Sequence, residues 1–213
     1  MPLVKTQAEG INLADTFAFT GTVSGAGTRK LLRTITISSS TSSVDFVHGS
    51  NGVVLDSTHM RYEITIDAMI PVTNGANIRV YLSSDSGSSF YGNSTYNVIT
   101  HRSYTNGSTT NQDATYANDY ASHNYNGLSS NSAHGGGHGT VTFSNWGGAR
   151  RATLNGEYWG YGDSYYIITQ SMGAYESNST TINAIRIAFS SGNIASGIFK
   201  LFGVLWWLIE LKM

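Results

Sequence analysis

The chain has 213 residues, no cysteine, a formal net charge of −1 and only 12 % charged residues, while 40 % are hydrophobic. This composition excludes a disordered chain, a disulfide scaffold, thiolate catalysis and a cysteine-ligated zinc site. It also argues against binding nucleic acid through phosphates, which calls for a basic patch. Gly, Ser, Thr, Asn and Tyr take the place of charge, a mix suited to strands and tight turns rather than to surface helices.

In chain order, residues 1–16 read as an N-terminal arm or an irregular first strand. Their start, MPLVKTQAEGINLADTF, lacks the apolar core of a signal peptide, which predicts synthesis in a cytosol. Phe17 and Phe19 alternate into a glycine-rich turn over Gly21 to Gly27. Arg29 to Ser38 then reads as a strand that begins on a short basic group, Arg29-Lys30. Val44 to Val47 gives a further strand, His48 to Gly52 a turn, and Val53-Val54-Leu55 a short strand or edge.

The segment from Met60 to Phe90 organises the chain. Tyr62, Ile64 and Ile66 alternate with Arg61, Glu63, Thr65 and Asp67; after Pro71 and Asn74-Gly75, Ile78, Val80 and Leu82 repeat the pattern. A period of two means strands with one buried face, and Asn-Gly accepts the positive φ of a turn. The two stretches are expected to form a central strand pair.

Tyr96 to Arg102 predicts one more strand, after which a Tyr/Ser/Asn-rich excursion over residues 103–138 loses apolar periodicity. Such a length without structure is unusual in a compact domain, and tyrosines spaced among small polar residues compose adaptable contact surfaces. Tyr116, Tyr120 and Tyr125 are therefore interface candidates, together with Arg29 and Lys30. Strands are expected again around Val141 and Phe143, at Arg151 to Glu157, Tyr165 to Gln170, Ile182 to Phe189 and Ile198 to Val204. Roughly ten short antiparallel strands over residues 17–204 predict an all-β domain, a β-sandwich or jelly roll.

Residues 205–213 add an apolar tail, with Trp206, Trp207, Leu208 and Ile209 in succession. That run is about half the ~20 residues a membrane-spanning helix needs. Burying three such side chains is worth roughly 5–8 kcal/mol, so the tail either completes the domain's own core or docks on another subunit; docking is the expectation, because the strand pattern is complete by Val204.

Candidate chemistry is sparse. Glu63 and Asp67 share a strand face, but four residues at about 3.3 Å each separate them by about 13 Å, beyond the roughly 5–9.5 Å of glycosidase carboxylate pairs. A sandwich glycosidase is disfavoured on that ground. His134 and His138 flank three glycines that oppose the helix on which such a spacing would chelate a metal, and no metal or cofactor is expected. Ser84-Asp85-Ser86-Gly87 lacks the later carboxylates of a calcium loop and reads as a turn. Trp146, Tyr158 and Trp159 are the aromatic candidates for stacking on a sugar ring, which keeps a carbohydrate-binding module as the alternative function.

Four short motifs carry a resemblance: Leu55-Asp56-Ser57-Thr58, the Pro71 to Ala76 turn, Ser83-Ser84-Asp85-Ser86-Gly87, and Ser190-Ser191-Gly192-Asn193-Ile194 ahead of Gly197. With the strands around them, covering roughly residues 30–204, they resemble a class of bacteriophage virion proteins common in phages of marine bacteria and cyanobacteria. The resemblance implies a β-sandwich without catalytic residues, working in the virion as a head decoration, fibre or tail component. The implied partners are other copies of itself and other virion proteins, with a host surface glycan under the alternative. Chains of that class generally stop near the position of Phe202-Gly203, so residues 205–213 depart from the pattern.

Overall fold

The structure is a computed structural model and describes residues 29–56, 58–92, 95–106, 109–117, 119–123, 127–144, 152–162, 164–175 and 181–204. Within them lie twelve strands: β1 (Arg29–Ile37), β2 (Ser43–Val47), β3 (Arg61–Pro71), β4 (Ile78–Ser83), β5 (Tyr96–Asn106), β6 (Thr109–Ala117), β7 (Ser122–His123), β8 (Gly137–Ser144), β9 (Thr153–Tyr161), β10 (Tyr166–Tyr175), β11 (Ala184–Phe189) and β12 (Ile194–Val204). Helix among the described residues is limited to one 3₁₀ turn, Ser132–His134. Every strand pairing is antiparallel.

The strands form an eight-stranded sheet in the order β1-β12-β3-β8-β9-β10-β5-β6 and a four-stranded sheet in the order β2-β11-β4-β7. One hydrophobic cluster lies between them. The large sheet contributes Tyr62, Ile64, Ile66, Val141, Phe143, Leu154, Phe199 and Leu201; the small sheet contributes Val44, Phe46, Ile78, Val80, Leu82, Ile185 and Ile187. The fold is thus all-β, with two antiparallel sheets sharing a core in the manner of a sandwich.

Alternation predicts the buried sets well but not the pairing. β3 pairs with β12 and β8, whereas β4 pairs with β11 and β7. The expected central pair is therefore split between the two sheets. Each stretch has one buried face, as its period of two requires, and these faces look at each other across the core. The link between them is anchored elsewhere: Gly75 at φ +76° donates its N–H to the Leu128 carbonyl at 2.9 Å, and Ala76 bridges to Leu128. Pro71 closes β3 opposite Ile194 rather than sitting in the loop.

Two irregularities shift the alternation. A bulge at Leu32 in β1 turns Leu32, Ile35 and Ile37 toward the core and leaves Leu31 exposed. In β3, Asp67 and Ala68 together oppose His138, with Ala68 at φ +50°. Such an extra residue reverses the faces beyond it, which is why Met69 is buried. Val53-Val54-Leu55 forms no strand; Val53 and Leu55 are buried from an irregular segment, with the Leu55 N–H donating to His48 Nδ1 at 3.0 Å. Residues 103–138 hold the end of β5, then β6, β7, the 3₁₀ turn and the start of β8.

The motifs that carry the family resemblance tie loops together. The Asp56 carboxylate accepts from the Thr58 N–H at 2.8 Å, and the Tyr62 hydroxyl donates to the Asp56 carbonyl at 2.7 Å. Asp85 accepts from the Ser89 hydroxyl at 2.5 Å, the Ser89 N–H at 2.9 Å and the Ser83 hydroxyl at 2.7 Å. Those bonds, the Ser89 hydroxyl foremost, lower the Asp85 carboxyl to about 2. Asn193 donates to the Ser40 hydroxyl at 2.9 Å and accepts the Val72 N–H on its carbonyl at 2.8 Å.

Candidate association surface

Neighbours along a strand face opposite sides, so the large sheet also has an outer face built from the complementary residue set. The register sorts part of that face into transverse rows. One row runs Arg61, Ser144, Thr153, Ala174, Asn97; the next runs Glu63, Thr142, Asn155, Met172, Ile99; a later one runs Asp67, Trp159, Ile168, Ser103, with His138 beside Trp159.

Strand β10 is inverted on this face. Its inward set is Ile167, Thr169, Ser171 and Gly173, while its outward set is Tyr166, Ile168, Gln170 and Met172. Thr169 and Ser171 are fully buried, whereas Ile168 is 61 %, Met172 56 % and Tyr166 70 % exposed. Ile99, 52 % exposed on β5, is the cross-strand partner of Met172, and Trp159, 47 % exposed on β9, is the partner of Ile168. The small sheet instead presents charge outward. Arg186 holds Asp45 through a fork, Nε to Oδ1 at 2.8 Å and Nη2 to Oδ2 at 2.6 Å, and lies over the Phe90 ring. Exposed large hydrophobic side chains on described strands all belong to the large sheet.

Two depressions lie on the outer face. The larger, open and about 830 Å³, is lined among others by Arg61, Ile99, Thr142, Ser144, Asn155 and Met172. The smaller, about 380 Å³, gathers His134, His138, Trp159, Tyr161, Tyr166 and Ile168. In it His138 stacks on Trp159 with ring centroids 6.1 Å apart, and Tyr161 meets both Tyr166 and His134 edge-on. The buried His134 Nδ1 has no hydrogen-bond partner.

The sequence candidates scatter relative to these surfaces. Tyr158 does not join Trp159 in a sugar platform: it is 1 % exposed, and its hydroxyl lies 2.7 Å from Ser122 Oγ inside the core. Burial pushes its phenol well above the ordinary tyrosine value. Adjacent residues of one strand face opposite sides, so only Trp159 reaches solvent. Trp146, Tyr125 and the tail residues Trp206, Trp207, Leu208 and Ile209 lie outside the described residues. Arg29 pairs with Glu63 and lies over the Phe202 ring at 3.6 Å, and Lys30 is exposed beside it. Tyr116 is carried by the edge strand β6, opposite Ile99 in register. Tyr120 receives the Arg79 guanidinium over its ring at 4.6 Å, beside the small sheet.

The carboxylates singled out in the sequence each have a cation. Glu63 has Arg29 and Asp67 has Lys200 at 3.5 Å; His138 Nδ1, which accepts the Ala68 N–H, lies 4.0 Å from Asp67. Among the described residues no three His, Asp or Glu side chains cluster to hold a metal, and no helix is long and apolar enough to cross a membrane. Sequence reasoning missed Ile99, Tyr166, Ile168 and Met172, and weighed His138 only as a metal ligand. The available signal was the run YIITQSM, whose more apolar set alternates with Thr and Ser.

Comparison with protein-family models, with curated proteins and with solved structures finds no match.

Proposed function

We propose that the chain is a non-enzymatic structural component of a bacteriophage virion, made in the host cytoplasm, that assembles with copies of itself and with other virion proteins. The outer face of the large sheet is its association surface. The observation that carries this reading is the inversion of β10. Two polar residues, Thr169 and Ser171, occupy its core side while Ile168 and Met172 face out. A strand that wastes its apolar set on solvent is costly, at about 25 cal/mol per Å² of apolar surface, unless that surface is covered in the working assembly. The virion assignment rests on the resemblance carried by the loop motifs, whose side chains here fasten loops.

The test is the mass of the full chain by sedimentation over a wide concentration range, beside Ile168→Asp. The wild type is expected to associate, and the variant to dissociate with its fold intact by circular dichroism. A wild type that stays monomeric throughout overturns the reading.

The smaller depression supports a second reading, a carbohydrate-binding receptor module on the same particle. Trp159, Tyr161 and Tyr166 line it, with two imidazoles to hydrogen-bond hydroxyls. Glycan binding that is lost in Trp159→Ala and kept in Met172→Glu would favour it over self-association.

A further inference from the structure

The larger depression is the part of the outer face whose occupant can be argued from charge and length. Its lining is asymmetric. The β10–β5 half carries Met172 and Ile99, exposed and apolar; the β8–β9 floor is mostly Thr, Ser and Asn; the β3 wall carries the cation Arg61. A matching ligand is an extended segment with bulky apolar side chains at one end and an acid at the other.

Residues 205–213, LWWLIELKM, have that form: Trp206 and Trp207 come first and Glu210, the only acid among them, comes later. Strands lie about 4.8 Å apart and an extended chain rises about 3.3 Å per residue, so β10 to β3 is about 14 Å and Trp206 to Glu210 about 13 Å. A segment crossing from β10 toward β3 thus sets Trp206 on Met172 and Glu210 on Arg61 together.

A segment entering from the chain's own β12 end would have the wrong direction for this. Val204 at the end of β12 is paired with Arg61 on β3, so an extended segment crossing the sheet from that point would enter the depression from the β3 side. Such a segment would set Trp206 and Trp207 about 7–10 Å out, level with β8, and Glu210 about 20 Å out, level with Met172. Both ends are mismatched. A tail entering from the β5 side, from another molecule, matches at both.

We propose that the larger depression binds residues 205–213 of a second copy, with Glu210 paired to Arg61 and Trp206 on Met172 and Ile99. The proposal rests on the self-association reading above and names the partner of that face. Contact between a tail and a face, two different surfaces, is head-to-tail, so copies linked in this way close into a ring or continue as a filament.

The experiment is sedimentation of the full chain at graded concentrations for the wild type, Arg61→Glu, Glu210→Arg and the double reversal. Each single reversal is expected to weaken association about tenfold, and the double reversal to return it to within about threefold of the wild type. A double reversal no stronger than the weaker single variant overturns the pairing. If Ile168→Asp dissociates the wild-type oligomer while the Arg61 and Glu210 reversals change nothing, the face stands and this occupant falls. If the wild type never associates, both fall.

Discussion

Replacing Tyr158 by Phe tests the core where the two sheets meet. The ring packs against Gly139 and Gly156, where an added Cβ would come within 2.7 Å of it, and the hydroxyl reaches Ser122 Oγ on β7 at 2.7 Å. Both partners are buried, at 1 % and 0 % exposure. The mutation removes a hydrogen bond with a net worth of about 1 kcal/mol and leaves the Ser122 hydroxyl without that partner, a further cost of about 1–2 kcal/mol. The expected loss is about 2–3 kcal/mol by urea unfolding. Ser122→Ala orphans the other end and should cost about as much. In the double variant both polar groups are gone, so its loss is expected to be close to that of one single change, a coupling of about 2–3 kcal/mol. A Tyr158→Phe protein within about 0.5 kcal/mol of the wild type, or a double variant whose loss is the plain sum, would refute a buried pair joining the sheets.

Alkali offers a second test. Burial, ahead of all other causes, raises the Tyr62 phenol from 10.0 to about 12, and burial raises that of Tyr158 as well. The folded state therefore holds protons that the unfolded state has released. Stability is full below pH 10 and falls as pH rises toward 12, by about 1.4 kcal/mol per pH unit for each group, and Tyr62→Phe should flatten part of that fall. Asn183→Ala removes the acceptor of the Ser86 N–H at 2.8 Å and the donor to the Ser84 carbonyl at 3.1 Å. It should cost about 1–2 kcal/mol, with faster amide exchange at residues 84–87 as the local readout. Arg186→Lys keeps the charge opposite Asp45 but loses the two-pronged geometry. With both side chains about a third exposed, the cost is expected at about 0.5–1 kcal/mol in urea unfolding, smaller at high salt.

The fold was legible where burial decides residue identity. Tyr62, Ile64 and Ile66, then Ile78, Val80 and Leu82, announce their inward faces by period alone, and all are buried. Pairing was not legible, because alternation says that a strand has one buried face and not which sheet it joins. Nothing in the short link between β3 and β4 shows that it crosses the core; its anchor, Leu128, lies far along the chain. Bulges were hidden for a related reason. Ala68 takes φ +50° without being Gly or Asn, so no residue type flagged the reversal that buries Met69.

The candidate surface was legible only in part. Trp159 drew notice as an aromatic, yet Tyr158 beside it drew the same notice and belongs to the core. The strand around Ile168 reads the other way: the rule of apolar residues inside would place Ile168 and Met172 in the core and Thr169 and Ser171 outside. On the core side of β10, Ser171 Oγ accepts from Thr100 Oγ1 at 3.3 Å and Gly173 packs under the Ala121 backbone, whereas Thr169 Oγ1 is buried without a hydrogen-bond partner. A sequence that violates the rule in one strand is thus informative, but only once the strand's orientation is known.

The central claim is that the outer face of the large sheet is buried when copies associate. Hydroxyl-radical footprinting of the full chain, at concentrations below and above the association midpoint, tests it most directly. Met172 and Trp159 are oxidisable and lie on the face, while Met60, 37 % exposed just ahead of β3, serves as an internal reference. Met172 and Trp159 are expected to become protected as the oligomer forms while Met60 keeps its rate. An oligomer in which Met172 and Trp159 oxidise as fast as in the monomer would contradict it.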